Sequence, residues 1–266
     1  MSEPEPLAPA APGIMADRLS VAEGVRWFLL ALAGFVVGEI LSTASVALTA
    51  SVLGRSSEVA QLARAASPPE WFVVSSLIGL WVGFIGAPLL ATRLGPVRHR
   101  LGLSFAPIDL IGIPIGVVGQ FVVVLLYAPF ISHLHNFDAP VKKLTGGSHG
   151  GGFLLIGLLT IFVAPLAEEL FFRGLVLRSL FGLGSGATSR GGRRAAMIAA
   201  VVVDGLLFGL VHGELAQLAG LTLFGMLLAV LVVRTGRLGM SIIAHASFNA
   251  VAIVSLIASG SAVIWH

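Results

Sequence analysis

Seven apolar stretches, each long enough for a helix to cross a lipid bilayer, leave this chain few ways to fold. A helix needs about 20 mostly apolar residues to span the hydrocarbon. The stretches run roughly 25–53, 71–92, 108–131, 151–173, 195–212, 216–234 and 239–263. Only 11% of the 266 residues are charged and the mean hydropathy is +0.98, whereas a soluble domain carries about 25% charged residues. Too few polar side chains remain to cover a soluble globule. In lipid every backbone N–H and C=O must be satisfied within the protein, which selects helices. The expected fold is all-α: a polytopic transmembrane helix bundle of about 7–8 helices.

Charge sets the expected orientation. With the N-terminus inside, eleven arginines (Arg18, Arg26, Arg93, Arg98, Arg100, Arg178, Arg190, Arg193, Arg194, Arg234, Arg237) fall on the inner side. Four basic residues (Arg55, Arg64, Lys142, Lys143) fall outside. The positive-inside rule then predicts a multi-pass protein of the plasma membrane with a cytoplasmic N-terminus. The net charge of +3 reads as inner loops meeting anionic lipid. No basic stripe with interleaved aromatics is present, so nucleic acid is not an expected partner. Three parts are expected: a disordered cytoplasmic tail over 1–20, rich in Pro, Ala and acidic residues; transmembrane helices over 21–148; and a C-terminal helical core over 149–264. Glu39 and Gln120 are expected to face the bundle interior, and Pro114, Pro129 and Pro165 to kink their helices. VLRSLFGL is expected to extend the fourth helix, GSGATSRGGRR to form a flexible basic loop, and 134–150 a polar outer connector containing His149.

Three short patterns carry chemistry inside these runs. Glu168, Glu169 and Arg173 come first. Glu169 and Arg173 are four apart, share a helix face and can pair. Glu168 is turned about 100° from Glu169 and is left for other work. Ionisable groups at membrane depth are costly and mark candidate functional sites. The plainer alternative is an ion-pair cluster that fixes helix packing. Phe208 and His212 follow, again four apart, with the ring placed under the imidazole. His245 and Asn249 share a third face. Alone, His212 reads as a satisfied interfacial residue, and the His245–Asn249 pair reads equally as interhelical hydrogen bonding. Together they supply a carboxylate and an imidazole to deprotonate water, and an imidazole and an amide to steady an oxyanion. The same groups suit a metal with an open position. Asp204 lies four residues before Phe208 and can either orient a functional group or bond as a buried polar residue. Glu214 is expected to line a wet cavity, while Ser241, Ser247 and Thr222 are expected to bond back to their helices.

EELFFR, FGLVH and HASFN, in that order within apolar helices, resemble the motifs of the CPBP (Abi) family of intramembrane proteases, which contains the CAAX prenyl endopeptidases. The family pattern is Glu-Glu-x-x-x-Arg, Phe-x-x-x-His, then His-x-x-x-Asn or Asp. Every signature position is filled over roughly 150–255, and Leu101-Gly102-Leu103 resembles a family lead-in. The resemblance implies hydrolysis of a peptide bond in a membrane-associated peptide or protein. Glu168 and His212 would activate water, His245 and Asn249 would bind the oxyanion, and Glu169 and Arg173 would support them. It leaves the cofactor as none or a divalent metal such as zinc, held, if present, by Glu168, His212 and His245. The lack of a His-Glu-x-x-His motif favours metal-free chemistry. A bacteriocin-immunity or binding protein on the same scaffold is an alternative, and a transporter a further one, although no internal repeat is visible.

One geometric tension follows. Glu168 and His245 fall near the inner ends of their runs and His212 at the far end of its own. A helix of 17 residues covers about 26 Å, too far for the two groups to meet. The expected resolution is a fourth helix continuing through Leu180 and a fifth that ends inside the protein, with 212–217 dipping into a wet cavity.

Overall fold

The computed structural model describes residues 19–94, 101–129 and 150–258. The expected tail up to Arg18 and the outer connector up to His149 lie outside the described residues. Seven helices have the length and composition to cross a membrane: α1 Val21–Val52, α2 Glu70–Arg93, α3 Pro107–Tyr127, α4 Gly150–Gly186, α5 Arg190–Val211, α6 Leu218–Thr235 and α7 Gly239–Ala258. Two short helical turns, Ser56–Glu58 and Val59–Leu62, bridge α1 and α2. No strand occurs among the described residues. The chain is an all-α, multi-pass membrane bundle.

Helix starts obey local chemistry. Ser20 caps α1: its hydroxyl accepts from the Glu23 N–H at 3.3 Å, while the Glu23 carboxylate accepts from the Ser20 N–H at 2.9 Å. Such reciprocal caps satisfy donors that the first turn leaves free. Ser189 caps α5 by accepting from the Gly192 N–H at 2.9 Å. The basic stretch Arg190–Arg194, expected to be loop, is therefore the first turn of a helix.

Lipid offers no hydrophobic drive between helices, so close backbone contact and polar links must hold them. Gly34 and Gly38 of α1 face Gly83 of α2, and Gly79 of α2 lies against Leu41 and Ser42 of α1. A β-carbon at Gly38 would stand 3.0 Å from the Leu80 carbonyl oxygen. On the other side of the bundle, Gly112 and Gly116 let α3 lie against Met240 and Ala244 of α7. Gly205 and Gly209 do the same for α5 against Thr222 and Met226 or Leu218 of α6.

Helix α4 is the axis of this arrangement. It runs past Leu180 to Gly186, as expected from VLRSLFGL. Its course is interrupted by two π-helical turns, Leu159–Val163 and Phe172–Val176, on either side of the α-helical piece Ala164–Phe171. Phe171 stacks on Phe84 of α2 at 4.3 Å, and Phe172 meets Phe208 of α5 edge-on at 5.3 Å. The two adjacent phenylalanines thereby fix the rotation of the piece that carries Glu168 and Glu169.

Glu39 does not face the bundle interior: its residue is exposed on α1. The face of α1 next to it is filled by Gly38 against Leu80 and Gly83, leaving the longer side chain on the outer side.

Candidate active site

Glu169 and Arg173 form the buried centre. Both side chains are fully enclosed, and the Arg173 Nη1 donates to Glu169 Oε1 at 2.9 Å, the pairing expected from their spacing. Arg173 Nη2 donates to the Gly225 carbonyl of α6 at 2.7 Å. Its Nε faces Asp204 Oδ2 of α5 at 3.4 Å. The guanidinium carbon lies 4.6 Å from the centre of the Phe208 ring, a cation–π contact. One side chain of α4 thus holds α5 and α6 together.

His245 of α7 extends the cluster. Its Nδ1 lies 3.0 Å from Glu169 Oε1, the oxygen that also receives Arg173. An ionised carboxylate only accepts, so the imidazole donates there and Nδ1 carries a proton. Its Nε2 lies 3.7 Å from Glu168 Oε2, an ion-pair contact longer than a hydrogen bond. The two glutamates do point differently, yet they bracket one imidazole. The His245 ring also packs edge-on against Phe208 at 5.5 Å and Phe224 at 5.7 Å.

His212 sits just beyond the end of α5. Its Nδ1 lies 2.7 Å from the Phe208 carbonyl oxygen. A carbonyl accepts only, so Nδ1 is the protonated nitrogen and Nε2 of the neutral ring keeps its lone pair. The His212 ring lies 4.8 Å from the Phe208 ring. Phe208 therefore touches both imidazoles. Helix α5 ends at Val211 with His212 as its capping residue, one turn beyond the Phe208 ring that His245 also touches, and α6 begins at Leu218. Glu214 is half-buried in that turn.

Asn249 is placed by proline chemistry. In the π-turn before it, the Ala164 N–H reaches back five residues to the Leu159 carbonyl. The next donor in that register would be residue 165, bonding Thr160. Pro165 has no N–H. The orphaned Thr160 carbonyl instead accepts from Asn249 Nδ2 at 2.8 Å. Asn249 thus spends one amide hydrogen on α4 and keeps a second.

Among the described residues, no three His, Cys, Asp or Glu side chains gather in an arrangement that could hold a metal ion. The set Glu168, His212 and His245 does not fit a metal here, and no step below runs through one.

The structure brings Glu168, Glu169, Arg173 and His245 into direct contact, sets His212 beside them across Phe208, and ties Asn249 to the π-turn that precedes the glutamates. Asp204 joins as a direct partner of Arg173, a contact its spacing from Phe208 only hinted at. Ser241 and Ser247 bond back to the carbonyls of Leu238 and Ile243 as expected. Thr222 does not: its buried hydroxyl has no hydrogen-bond partner. No signal in the sequence pointed to the Gly225 and Thr160 carbonyls, because a backbone acceptor has no residue type.

No curated protein and no solved structure matches this chain. Residues 150–251 match the family described as type II CAAX prenyl endopeptidase Rce1-like. That span contains Glu168, Glu169, Arg173, His212, His245 and Asn249. The chain carries, at residues 150–251, a domain of the CPBP/CAAX protease family.

Proposed function

We propose that this protein is an intramembrane endopeptidase that hydrolyses a peptide bond of a membrane-associated peptide or protein, with water activated by Glu168 and His212. The observation that carries this reading is the bracketing of His245 by Glu168 and Glu169, with His212 on the same Phe208 ring.

The chemistry follows from which atoms are committed. His212 gives its Nδ1 proton to a carbonyl, so Nε2 is available to take a proton from water. The Glu168 carboxylate is partly accessible and orients that water. As the water oxygen bonds to the scissile carbonyl carbon, charge gathers on the carbonyl oxygen. The second amide hydrogen of Asn249 and a proton on His245 Nε2 serve as its donors. This role asks His245 for protons on both nitrogens, with Glu169 holding the one on Nδ1. When the C–N bond breaks, the proton taken from water passes to the leaving amine. Glu169 and Arg173 fix the orientation of His245 and do not touch the substrate.

The protein is proposed to work in the plasma membrane with its N-terminus in the cytoplasm, as the excess of inner arginines supports. The test compares protein termini in membranes of cells making wild-type, Glu168→Ala or His212→Ala protein. Uncut precursors are expected with both variants, each still inserted. Unchanged termini with both variants present in normal amount would remove the proteolytic reading and leave a binding role.

A further inference from the structure

Asp204 is a fully buried carboxylate in an apolar helix, outside the three motifs that mark the site. A buried charge is costly, and one whose partner is already paired is costlier. Arg173 is already bonded to Glu169, yet Asp204 lies against its remaining Nε edge. We propose that Asp204 is a positioning residue that acts through Arg173 and Glu169 to hold the His245 imidazole. The proposal rests on the proteolytic reading only for its activity arm.

The geometry gives the reason. A guanidinium offers a rigid fork of five N–H groups and prefers to grip a carboxylate with two of them. Here it grips Glu169 with one, because Gly225 takes another at 2.7 Å and Asp204 occupies the Nε side at 3.4 Å. Phe208 closes one face at 4.6 Å. Glu169 Oε1 is consequently shared between Arg173 at 2.9 Å and His245 at 3.0 Å. Without Asp204 the guanidinium is free to turn its Nε edge to Glu169 and draw Oε1 away from His245. The line of contacts is Asp204, Arg173, Glu169, His245, and it crosses from α5 through α4 to α7.

The test uses full-length protein in lipid nanodiscs with nitrogen-15 histidine, the His245 signals being assigned with His245→Gln. Asp204→Asn keeps the shape and removes the charge. It is expected to shift the His245 Nδ1 resonance and to speed exchange of its proton with water, whereas Asp204→Glu keeps the wild-type signals. In a Glu169→Gln background, Asp204→Asn is expected to move the His245 signals no further, since its route is cut. A purely structural role would move them in both backgrounds, which overturns the proposal. If Asp204→Asn does not accumulate in membranes, Asp204→Ser is read in its place. Loss of Asn, Ser and Glu variants alike marks a structural prop and also overturns it. In the activity arm, Asp204→Asn lowers precursor cleavage by roughly tenfold or more, as outer partners of functional histidines do at metal sites. The failures separate cleanly. Normal cleavage by Glu168→Ala sinks the proteolytic reading while the ring shift stands. An unmoved His245 ring, with cleavage lost in Glu168→Ala, sinks the role of Asp204 alone.

Discussion

Arg173 meets two carboxylates, one carbonyl and two aromatic rings, and its side chain is sealed from water. A neutral side chain there would strand Glu169 and Asp204 as like charges in a dry interior. Breaking a buried pair by removing one partner costs about 3–5 kcal/mol. Arg173→Met is therefore expected to lower the thermal unfolding midpoint in detergent sharply, and more than Glu168→Gln does. Asn249→Ala tests a second residue-level bond. It leaves the Thr160 carbonyl without the donor that Pro165 cannot supply. An orphaned acceptor in a half-buried place costs toward the low end of the buried range, about 1 kcal/mol. A stability loss of that size, together with lost cleavage, is expected in the same preparation. Of these bonds, only the Glu169–Arg173 pair was legible in the sequence, because i,i+4 spacing has a geometric meaning on a helix. The Thr160 bond was not, since it depends on a π register that no residue announces.

Among the elements, α1 and α2 meet through small residues, and α1 turns Glu39 outward. Gly83→Val would drive its side chain into the Gly34 carbonyl and the Gly38 backbone. Overpacking of this kind costs about 1–3 kcal/mol, so a lower unfolding midpoint is expected. Glu39→Leu should do the reverse. A carboxylate on the outer face of an apolar span is costly, and its removal is expected to leave the midpoint unchanged or raise it. A drop would refute that placement. The outward Glu39 departs from the expectation that polar residues in apolar runs point inward. That rule holds for Asp204 and Glu169, which have a guanidinium to meet. It fails for Glu39, where the inward face of α1 is closed by backbone contact at Gly38.

For the whole molecule, the span pattern was readable because hydrocarbon thickness fixes helix length. The apolar part of the fourth run stops at Arg173, yet the helix continues as VLRSLFGL suggested, with Arg173 and Arg178 both buried in the bundle. The absence of cysteine makes orientation easy to test. A single Thr188→Cys, between α4 and α5, should react only with reagent supplied to the inner side, and Ser57→Cys only from outside. The opposite pattern would invert the proposed topology. A clasp joins the start of α3 to the turn before α7. Asp109, fully buried, accepts from Arg237 Nε at 2.9 Å and Nη2 at 2.8 Å, and from the Ala106 N–H at 2.8 Å. Hydrogen bonding to the Asp109 carboxylate raises the Arg237 pKa above its ordinary value. A raised basic group stabilises below its unfolded pKa and loses that contribution only as pH climbs through the folded one. The Arg237 contribution is thus undiminished across neutral and mildly alkaline pH, and Arg237→Gln should lower the unfolding midpoint equally throughout that range. The π-turns flanking the glutamates have a different kind of consequence. Each holds one residue more per turn than its α-helical surroundings, so deleting a single amino acid from 159–163 would let the rod rewind. Five residues of such a wide turn and four of an α-turn both come close to one full circle, so the two flanks would keep nearly the same facing. Glu168 and Glu169 would then keep their aim at the imidazole while the Thr160–Asn249 bond bore the change, a way to separate the two that no point substitution offers.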